Sequence, residues 1–167
     1  MKEMYRKICL LGDPGVGKTS LVRRYVLDVF DDHYIPSIGM KVTKKHIDLE
    51  DGSIDLTLMI WDILGGKTNR FDSIYYKGVK GVLIVFDVTR KKTMDSLPKW
   101  ISGLFEITGE VPIIFLGNKI DLKYRNKAVA QKISEYARKY NAKYLFTSAK
   151  TGDNVDEAFL SLARKVI

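Results

Sequence analysis

Short apolar segments recur along the chain and predict the strands of a β-sheet. Residues 6–12 contain a short apolar run that ends in glycine, and residues 81–88 and 111–118 are almost continuously apolar. Continuous runs of this length are typical of parallel strands that are buried on both faces. A further segment at residues 143–148 predicts the last strand.

Residues 41–49 and 54–61 predict a β-hairpin. The Asp-Gly pair at residues 51–52 is a turn signal, and apolar residues recur at every second position of the second segment. The first segment suits an edge strand, because charged side chains protect a free edge against pairing with other chains. Its charges are Lys41, Lys44 and Lys45.

Helical segments separate most of the strands. They cover residues 18–29, 94–108, 127–140 and 155–166, and Pro98 interrupts the second of them near its start. Strands that alternate with helices predict an α/β fold. In such folds ligands bind at the carboxyl ends of the strands, so we expect the functional residues there.

The length and composition indicate one ordinary globular domain over residues 1–167. Apolar residues make up 46% and charged residues 29% of the sequence. Cys9 is the single cysteine, which excludes an intramolecular disulfide and fits a reducing cytosol. We find no apolar stretch long enough to span a bilayer and no signal peptide, so we expect a cytoplasmic protein.

The charge balance is basic, with 28 Lys and Arg against 20 Asp and Glu and a net charge of +8. Such a balance can serve nucleic acid or an anionic membrane, or it can simply be a solvated surface. The basic residues are spread along the chain, and neither zinc-finger spacing nor an aromatic-basic RNA motif occurs. We therefore expect no nucleic-acid partner.

The segment GDPGVGKT, residues 12–19, matches the pattern of a phosphate-binding P-loop and lies between a predicted strand and a predicted helix. Glycines allow backbone N–H groups to surround phosphate oxygens. We expect Lys18 to reach the β and γ phosphates and the Thr19 hydroxyl to ligate Mg²⁺. The alternative is an ordinary glycine turn, which the strand–helix context disfavours.

Two later segments favour guanine as the base. NKID, residues 118–121, follows a buried strand, and Asp121 can accept hydrogen bonds from the N1–H and the amine of guanine. Asn118 can serve the other purine edge and join the loops, while the Lys119 stem can lie along the ring. TSAK, residues 147–150, ends the last strand. Either segment alone could be a surface loop, but they reinforce each other.

Taken together, these motifs resemble the Ras superfamily of small GTPases, and within it the Rab-like branch. The resemblance covers essentially the whole chain and rests on GDPGVGKT, YIPSIG, WDILGG, NKID and TSAK in this order, with YYKGVKGVLIVFDVT as the most Rab-like segment. It implies a P-loop G domain with a six-stranded, mostly parallel sheet, one antiparallel edge strand and helices on both faces. It also implies GTP or GDP with Mg²⁺ as ligands.

The resemblance also implies a set of site residues. Lys18 and Gly65 are the implied catalytic residues, and Thr19, Ser37 and, through water, Asp62 are the implied metal ligands. The implied nucleotide-binding residues are Gly15, Val16, Gly17, Lys18, Thr19, Ser20, Phe30, Tyr34, Ser37, Gly65, Asn118, Lys119, Asp121, Ser148, Ala149 and Lys150.

Some of these roles have plainer alternatives. Phe30 is expected to pack edge-on against guanine, but an isolated phenylalanine is also an ordinary core residue. Tyr34 is expected to close over the γ-phosphate, but it could equally be a surface tyrosine. Ser37 and Gly65 are expected to place backbone N–H groups near the γ-phosphate, and the Ala149 N–H is expected near guanine O6.

The sequence departs from the family pattern at positions that matter for hydrolysis. The family usually has glutamine at position 66, where it orients the attacking water, and Gly66 cannot do this. The Pro14 ring would crowd the γ-phosphate, and Ser37 replaces the usual threonine. The segment at residues 65–76 is about one residue shorter than the Rab pattern.

We therefore predict a GTP/GDP switch with slow hydrolysis. Partners, namely effectors, exchange factors and activating proteins, are expected to bind residues 31–39 and 65–76. One alternative is a constitutively GTP-bound binding module. Another is a P-loop kinase for a metabolite, but the guanine motifs argue against it. The chain ends in ARKVI without a C-terminal cysteine, so membrane attachment would require a lipidated tail absent here.

Overall fold

The computed structural model describes residues 2–30, 39–49, 52–64, 73–122 and 126–167. Within these residues, six strands form one sheet in the order β2-β3-β1-β4-β5-β6. The strands are β1 (Lys2–Leu11), β2 (Gly39–Leu49), β3 (Ile54–Leu64), β4 (Val79–Asp87), β5 (Ile113–Asn118) and β6 (Lys143–Phe146). Strand β2 runs antiparallel to β3 at one edge, and all other pairs are parallel.

Helices cover both faces of this sheet. They are α1 (Lys18–Leu27), α2 (Ser73–Tyr76), α3 (Lys91–Asp95), α4 (Leu97–Thr108), α5 (Lys127–Lys139) and α6 (Val155–Val166). One apolar cluster contains residues of α1 and α6, and a second contains residues of α3, α4 and α5. The predicted fold class, a mostly parallel sheet with one antiparallel edge strand and helices on both faces, is confirmed.

Several boundaries differ from the predicted ones. The predicted helix at residues 94–108 is two helices, which meet at Ser96, and Pro98 lies in the first turn of α4. A proline is tolerated there because the first helical N–H groups have no intrahelical acceptor. Strand β1 begins earlier than predicted because Lys2 already pairs with Ile54 of β3.

The parallel register brings polar residues at strand ends to one edge of the sheet. Leu10 pairs with Asp62, and Asp87 pairs with Asn118. The P-loop leaves β1 directly after Leu11 at this same edge. The carboxyl ends of four neighbouring strands therefore surround one location, as expected for a ligand site in an α/β sheet.

Candidate functional site

The P-loop connects β1 to α1 through a backbone path that needs glycine. Gly15 and Gly17 have φ angles of 77° and 103°, in the region that disfavours side chains. A Cβ atom at Gly12 would lie 2.2 Å from the carbonyl oxygen of Val85, so no side chain fits there. The loop follows the strand–turn–helix path that its sequence predicts.

Every carbonyl group of the P-loop from residue 12 to residue 16 accepts a hydrogen bond from a side chain. Lys18 Nζ donates to the carbonyl oxygens of Gly12 at 2.7 Å and Asp13 at 3.0 Å. The next three carbonyls accept from side chains that lie much later in the chain. These donors are Arg90 for Pro14, Lys119 for Gly15 and Asn118 for Val16.

The amino end of α1 provides the opposite kind of group. The first N–H groups of a helix have no intrahelical acceptor and carry the positive end of its dipole. The N-cap residue is Gly17, which has no side chain to accept from them. An uncapped helix end of this kind is suited to bind an anion.

Lys18 adds a buried positive charge to this anion site. Burial lowers the pKa of its ammonium group to about 8, although the carboxylates of Asp62 and Asp13 oppose this change, and the nearby Arg90 lowers it further. An anion next to Lys18 would stabilise the charged form and raise this pKa again.

Asp62 and Thr19 form an oxygen-rich pair beside Lys18. The Thr19 hydroxyl donates to Asp62 Oδ2 at 2.7 Å. Among the described residues nothing bonds to Asp62 Oδ1, although this oxygen is buried. Burial raises the pKa of Asp62, while Thr19, Lys18 and Lys41 oppose that change. An unsatisfied carboxylate oxygen and a hydroxyl are ligands that Mg²⁺ prefers, so these residues fit the ion.

Asn118 connects three loops at the other side of the P-loop. Its side-chain amide donates to Val16 O at 2.9 Å. Its amide oxygen accepts from the Thr147 hydroxyl at 3.0 Å and from the Ala149 N–H at 3.3 Å. The side chain is 1% exposed, so these bonds are shielded from water. Asn118 therefore fixes the position of the NKID and TSAK segments relative to the P-loop.

Asp121 lies on the exposed side of this junction. The buried Ser148 hydroxyl donates to its Oδ1 atom at 2.7 Å, which orients the carboxylate. Lys119 lies between this segment and the P-loop, where its ammonium group contacts Gly15 O at 2.6 Å. The exposed Lys150 is held through its carbonyl, which accepts from Arg24.

The other predicted site residues fall into two groups. Ser20 lies in the first turn of α1, and the partly buried Phe30 packs against the apolar cluster that contains residues of α1 and α6. Phe30 thus has the contacts of an ordinary core residue, which was the alternative to packing against guanine. The second group, Tyr34, Ser37, Gly65 and Gly66, lies outside the described residues.

Sequence reasoning missed residues that support the loop from behind. Asp87, at the end of β4, contacts both Arg90 and Lys119. Asp13 accepts from Trp100 Nε1 and the Ser96 hydroxyl, each at 2.8 Å. One available signal was the position of Asp87 at a strand end, which matches that of Asp62 on β3.

The sheet, the P-loop and the neighbouring oxygen-rich pair of Thr19 and Asp62 define a P-loop nucleotide-binding protein. Sequence comparison then gives the family, since a profile described as Ras family matches residues 7–167. The chain belongs to the Ras family. It is similar to Ras-related protein Rab-13 of Canis lupus familiaris, with 36% identity over 165 residues, 96% of this chain and 79% of that protein.

A second relative gives the same result. Ras-related protein Rab-8B of Homo sapiens is 36% identical over 163 residues, which cover 96% of this chain and 78% of that protein. The predicted resemblance to a Rab-like GTPase is confirmed. Members of this family bind GTP or GDP with Mg²⁺, hydrolyse GTP and act as molecular switches in signalling and membrane trafficking. They interact with effectors, exchange factors and activating proteins.

Proposed function

We propose that this protein is a guanine-nucleotide switch that hydrolyses GTP slowly. The observation that carries the binding part is the P-loop itself, whose carbonyls at residues 12–16 are already satisfied while the helix end at Gly17 is uncapped. A loop with this arrangement needs little reorganisation when an anion binds, which favours tight binding.

Phosphate and Mg²⁺ are assigned to the carboxyl end of β3 and the start of α1. Lys18 neutralises phosphate charge, and the N–H groups of residues 15–19 surround the phosphate oxygens. Thr19, Ser37 and, through water, Asp62 would hold Mg²⁺, which supplies charge neutralisation at the phosphates. Gly65 would bind the γ-phosphate through its N–H.

Guanine recognition is assigned to Asp121. Its carboxylate has one oxygen held by Ser148, so the group is oriented before a base arrives. Two hydrogen bonds from guanine to one carboxylate are charge-assisted and therefore strong, and adenine lacks this pair of donors. Ala149 and Lys119 complete the base pocket, and Phe30 borders it.

Slow hydrolysis is assigned to Gly66 together with Pro14. Glycine has no side chain to orient the attacking water, and the Pro14 ring occupies space next to the γ-phosphate. The same two residues favour the second candidate, a binding module that stays GTP-bound with negligible turnover. The two candidates differ only in rate, so a direct rate measurement separates them.

Identifying the nucleotide that co-purifies with the protein tests the binding part. GDP or GTP is expected, whereas ATP binding with equal affinity would contradict the proposal. Single-turnover hydrolysis of the parent, Gly66→Gln, Pro14→Gly and the double variant tests the rate. An oriented polar group contributes roughly ten- to several-hundred-fold. We expect a modest gain from Gly66→Gln and a larger one from the double variant, because both positions are assigned to the surroundings of the γ-phosphate and neighbouring residues couple.

A parent that already hydrolyses as fast as the double variant would contradict the role of Gly66. A parent without measurable turnover, alone or with an activating protein, would favour the second candidate. Residues 31–39 and 65–76 are the segments that we assign to partner proteins, which would read the bound nucleotide there.

The whole chain, residues 1–167, is proposed to act as one G domain in the cytoplasm. Any contact with a membrane is proposed to be peripheral and to be made through a lipid anchor. Among the described residues, no helix has both the length and the apolar character needed to cross a membrane.

A further inference from the structure

A buried carboxylate at the end of β4 lies outside the site that the sequence predicts. The Asp87 side chain is 2% exposed. Its Oδ1 atom accepts from the Thr89 N–H at 2.8 Å and the Thr89 hydroxyl at 2.6 Å. Burial alone would raise the pKa of Asp87, but the bonds from Thr89 and Lys119 hold it below its ordinary value. Asp87 is therefore a buried negative charge.

The second oxygen of Asp87 holds two cations that come from different loops. Arg90 Nε lies 3.1 Å and Lys119 Nζ 3.0 Å from Asp87 Oδ2. Each cation also reaches the P-loop: Arg90 Nη2 donates to Pro14 O at 3.0 Å, and Lys119 Nζ donates to Gly15 O at 2.6 Å. We call Asp87, Arg90 and Lys119 the Asp87 cluster.

We infer that the Asp87 cluster fixes two consecutive peptide groups of the P-loop, and that Arg90 is a positioning residue that lengthens the lifetime of the bound nucleotide. The inference rests on the nucleotide binding proposed above. In a trans peptide the C=O of one residue and the N–H of the next point in opposite directions. Holding Pro14 O against Arg90 therefore turns the Gly15 N–H to the other side of the loop, where the phosphates are assigned.

The local sequence makes such a restraint necessary. Gly15 has a φ angle of 77° and no Cβ atom, so sterics alone do little to prevent rotation of the peptide that joins it to Pro14. A Cβ atom at Gly15 would lie 3.4 Å from Arg90 Nη2, so the guanidinium lies directly against this part of the loop. Without Arg90 the Pro14 carbonyl would lose the donor that it has among the described residues.

The test compares Arg90→Gln and Arg90→Lys with Lys92→Gln. Lys92 is an exposed residue of α3, two positions from Arg90, and its replacement removes the same charge without touching the P-loop contact. The rate to measure is the dissociation of GDP with a fluorescent label on its ribose, chased by excess GDP in Mg²⁺. We expect dissociation to be about five- to tenfold faster in Arg90→Gln, because a hydrogen bond from a half-exposed guanidinium to the P-loop is lost. Lys92→Gln should stay within about twofold of the parent, because a surface charge of this kind contributes little.

Arg90→Lys separates geometry from charge. Lysine keeps the charge but cannot bridge Asp87 and Pro14 with the planar fork of arginine. On a logarithmic scale, we expect Arg90→Lys to remove less than half of the increase in dissociation rate that Arg90→Gln causes. Full recovery in Arg90→Lys would overturn the inference, because charge alone would then suffice.

Asp87→Asn provides a test of coupling within the cluster. If Arg90 acts through Asp87, then Arg90→Gln should add less than about twofold to the rate of Asp87→Asn. If the increases in dissociation rate caused by Arg90→Gln and Asp87→Asn multiply in full, the inference that Arg90 acts through Asp87 is overturned. Thermal unfolding of each variant without nucleotide shows whether a change in dissociation merely follows a loss of stability, and a dissociation rate that tracks this loss alone would overturn the inference.

GDP release by the parent, Arg90→Gln and Lys92→Gln distinguishes a failure of this inference from a failure of the proposed function. A parent that binds labelled GDP, with Arg90→Gln as slow to release it as Lys92→Gln, would overturn the role of Arg90 and leave the proposed function intact. A parent that does not bind labelled GDP would overturn both.

Discussion

Replacing Gly17 with alanine perturbs the junction between the P-loop and the base-binding segment. Gly17 has a φ angle of 103°, and a Cβ atom there would lie 2.3 Å from Asn118 Nδ2. That amide cannot simply rotate away, because Asn118 is 1% exposed, donates to Val16 O and accepts from the Thr147 hydroxyl. The variant must therefore break at least one buried hydrogen bond.

Gly52→Ala is the matched control for the backbone strain. Gly52 has a φ angle of 87°, and among the described residues a Cβ atom there meets nothing within 4 Å. Both variants carry a left-handed strain of about 1–2 kcal/mol. Both also gain similarly from the reduced entropy of the unfolded chain, so this contribution cancels between them.

The difference between the two variants isolates the displacement of Asn118. Leaving a buried polar group without its partner costs about 1–3 kcal/mol. Gly17→Ala should therefore be less stable than Gly52→Ala by this amount. Since 1 kcal/mol corresponds to about 2–4 °C in a protein of this size, the melting temperatures should differ by roughly 2–12 °C.

Urea unfolding of the nucleotide-free proteins, followed by circular dichroism, measures the difference in the free energy of unfolding between Gly17→Ala and Gly52→Ala. Labelled GDP should also dissociate faster from Gly17→Ala than from Gly52→Ala, because the loop that carries the anion site has moved. Equal free energies of unfolding for the two variants would refute the reasoning, since they would show that Asn118 shifts without losing a bond.

Three further predictions address the base, the loop junction and the buried lysine. Asp121→Asn should weaken GTP binding severely and favour xanthosine triphosphate, whose hydrogen-bond pattern is complementary; competition binding with both nucleotides checks this. Thr147→Val should lower the free energy of unfolding by about 1–2 kcal/mol in urea titrations, because its hydroxyl donates to Asn118 from a fully buried position. The pKa of Lys18 is about 8 in the folded protein, against an ordinary value of 10.5. Between these pH values the unfolded chain therefore binds more protons than the folded protein does. The nucleotide-free parent should thus gain stability relative to Lys18→Met between pH 7.5 and 9.5, and parallel pH profiles would contradict this.

Much of the fold could be predicted because its signals are local. Strands β4 and β5 are almost entirely buried and each contains a continuous apolar run, at residues 82–86 and 113–116, so composition alone marks them. The P-loop could be predicted because its glycines and Lys18 occur at a fixed spacing between a strand and a helix. Boundaries were less accurate, since the division between α3 and α4 depends on how the chain packs near Ser96.

The contacts that support the P-loop from behind could not be predicted in the same way. Asp13 bonds to Trp100, 87 residues away, and Pro14 bonds to Arg90, 76 residues away. No fixed spacing connects such residues, because the packing of all the intervening strands and helices decides which side chains meet. The indole N–H of Trp100 donates to Asp13 of the P-loop, a contact that no motif in the sequence indicates.

These contacts divide the support of the P-loop between two parts of the fold. Asp13 and Pro14, in the first half of the loop, bond to Trp100 of α4 and to Arg90, which precedes α3. Gly15 and Val16, in its second half, bond instead to Lys119 and Asn118 at the end of β5. Proline at position 14 has no N–H to offer a phosphate, so its carbonyl is the backbone group that a hydrogen bond can hold. Displacing the segment from Arg90 to Trp100 would therefore loosen the first half of the P-loop, while Asn118 and Lys119 would still hold the second half.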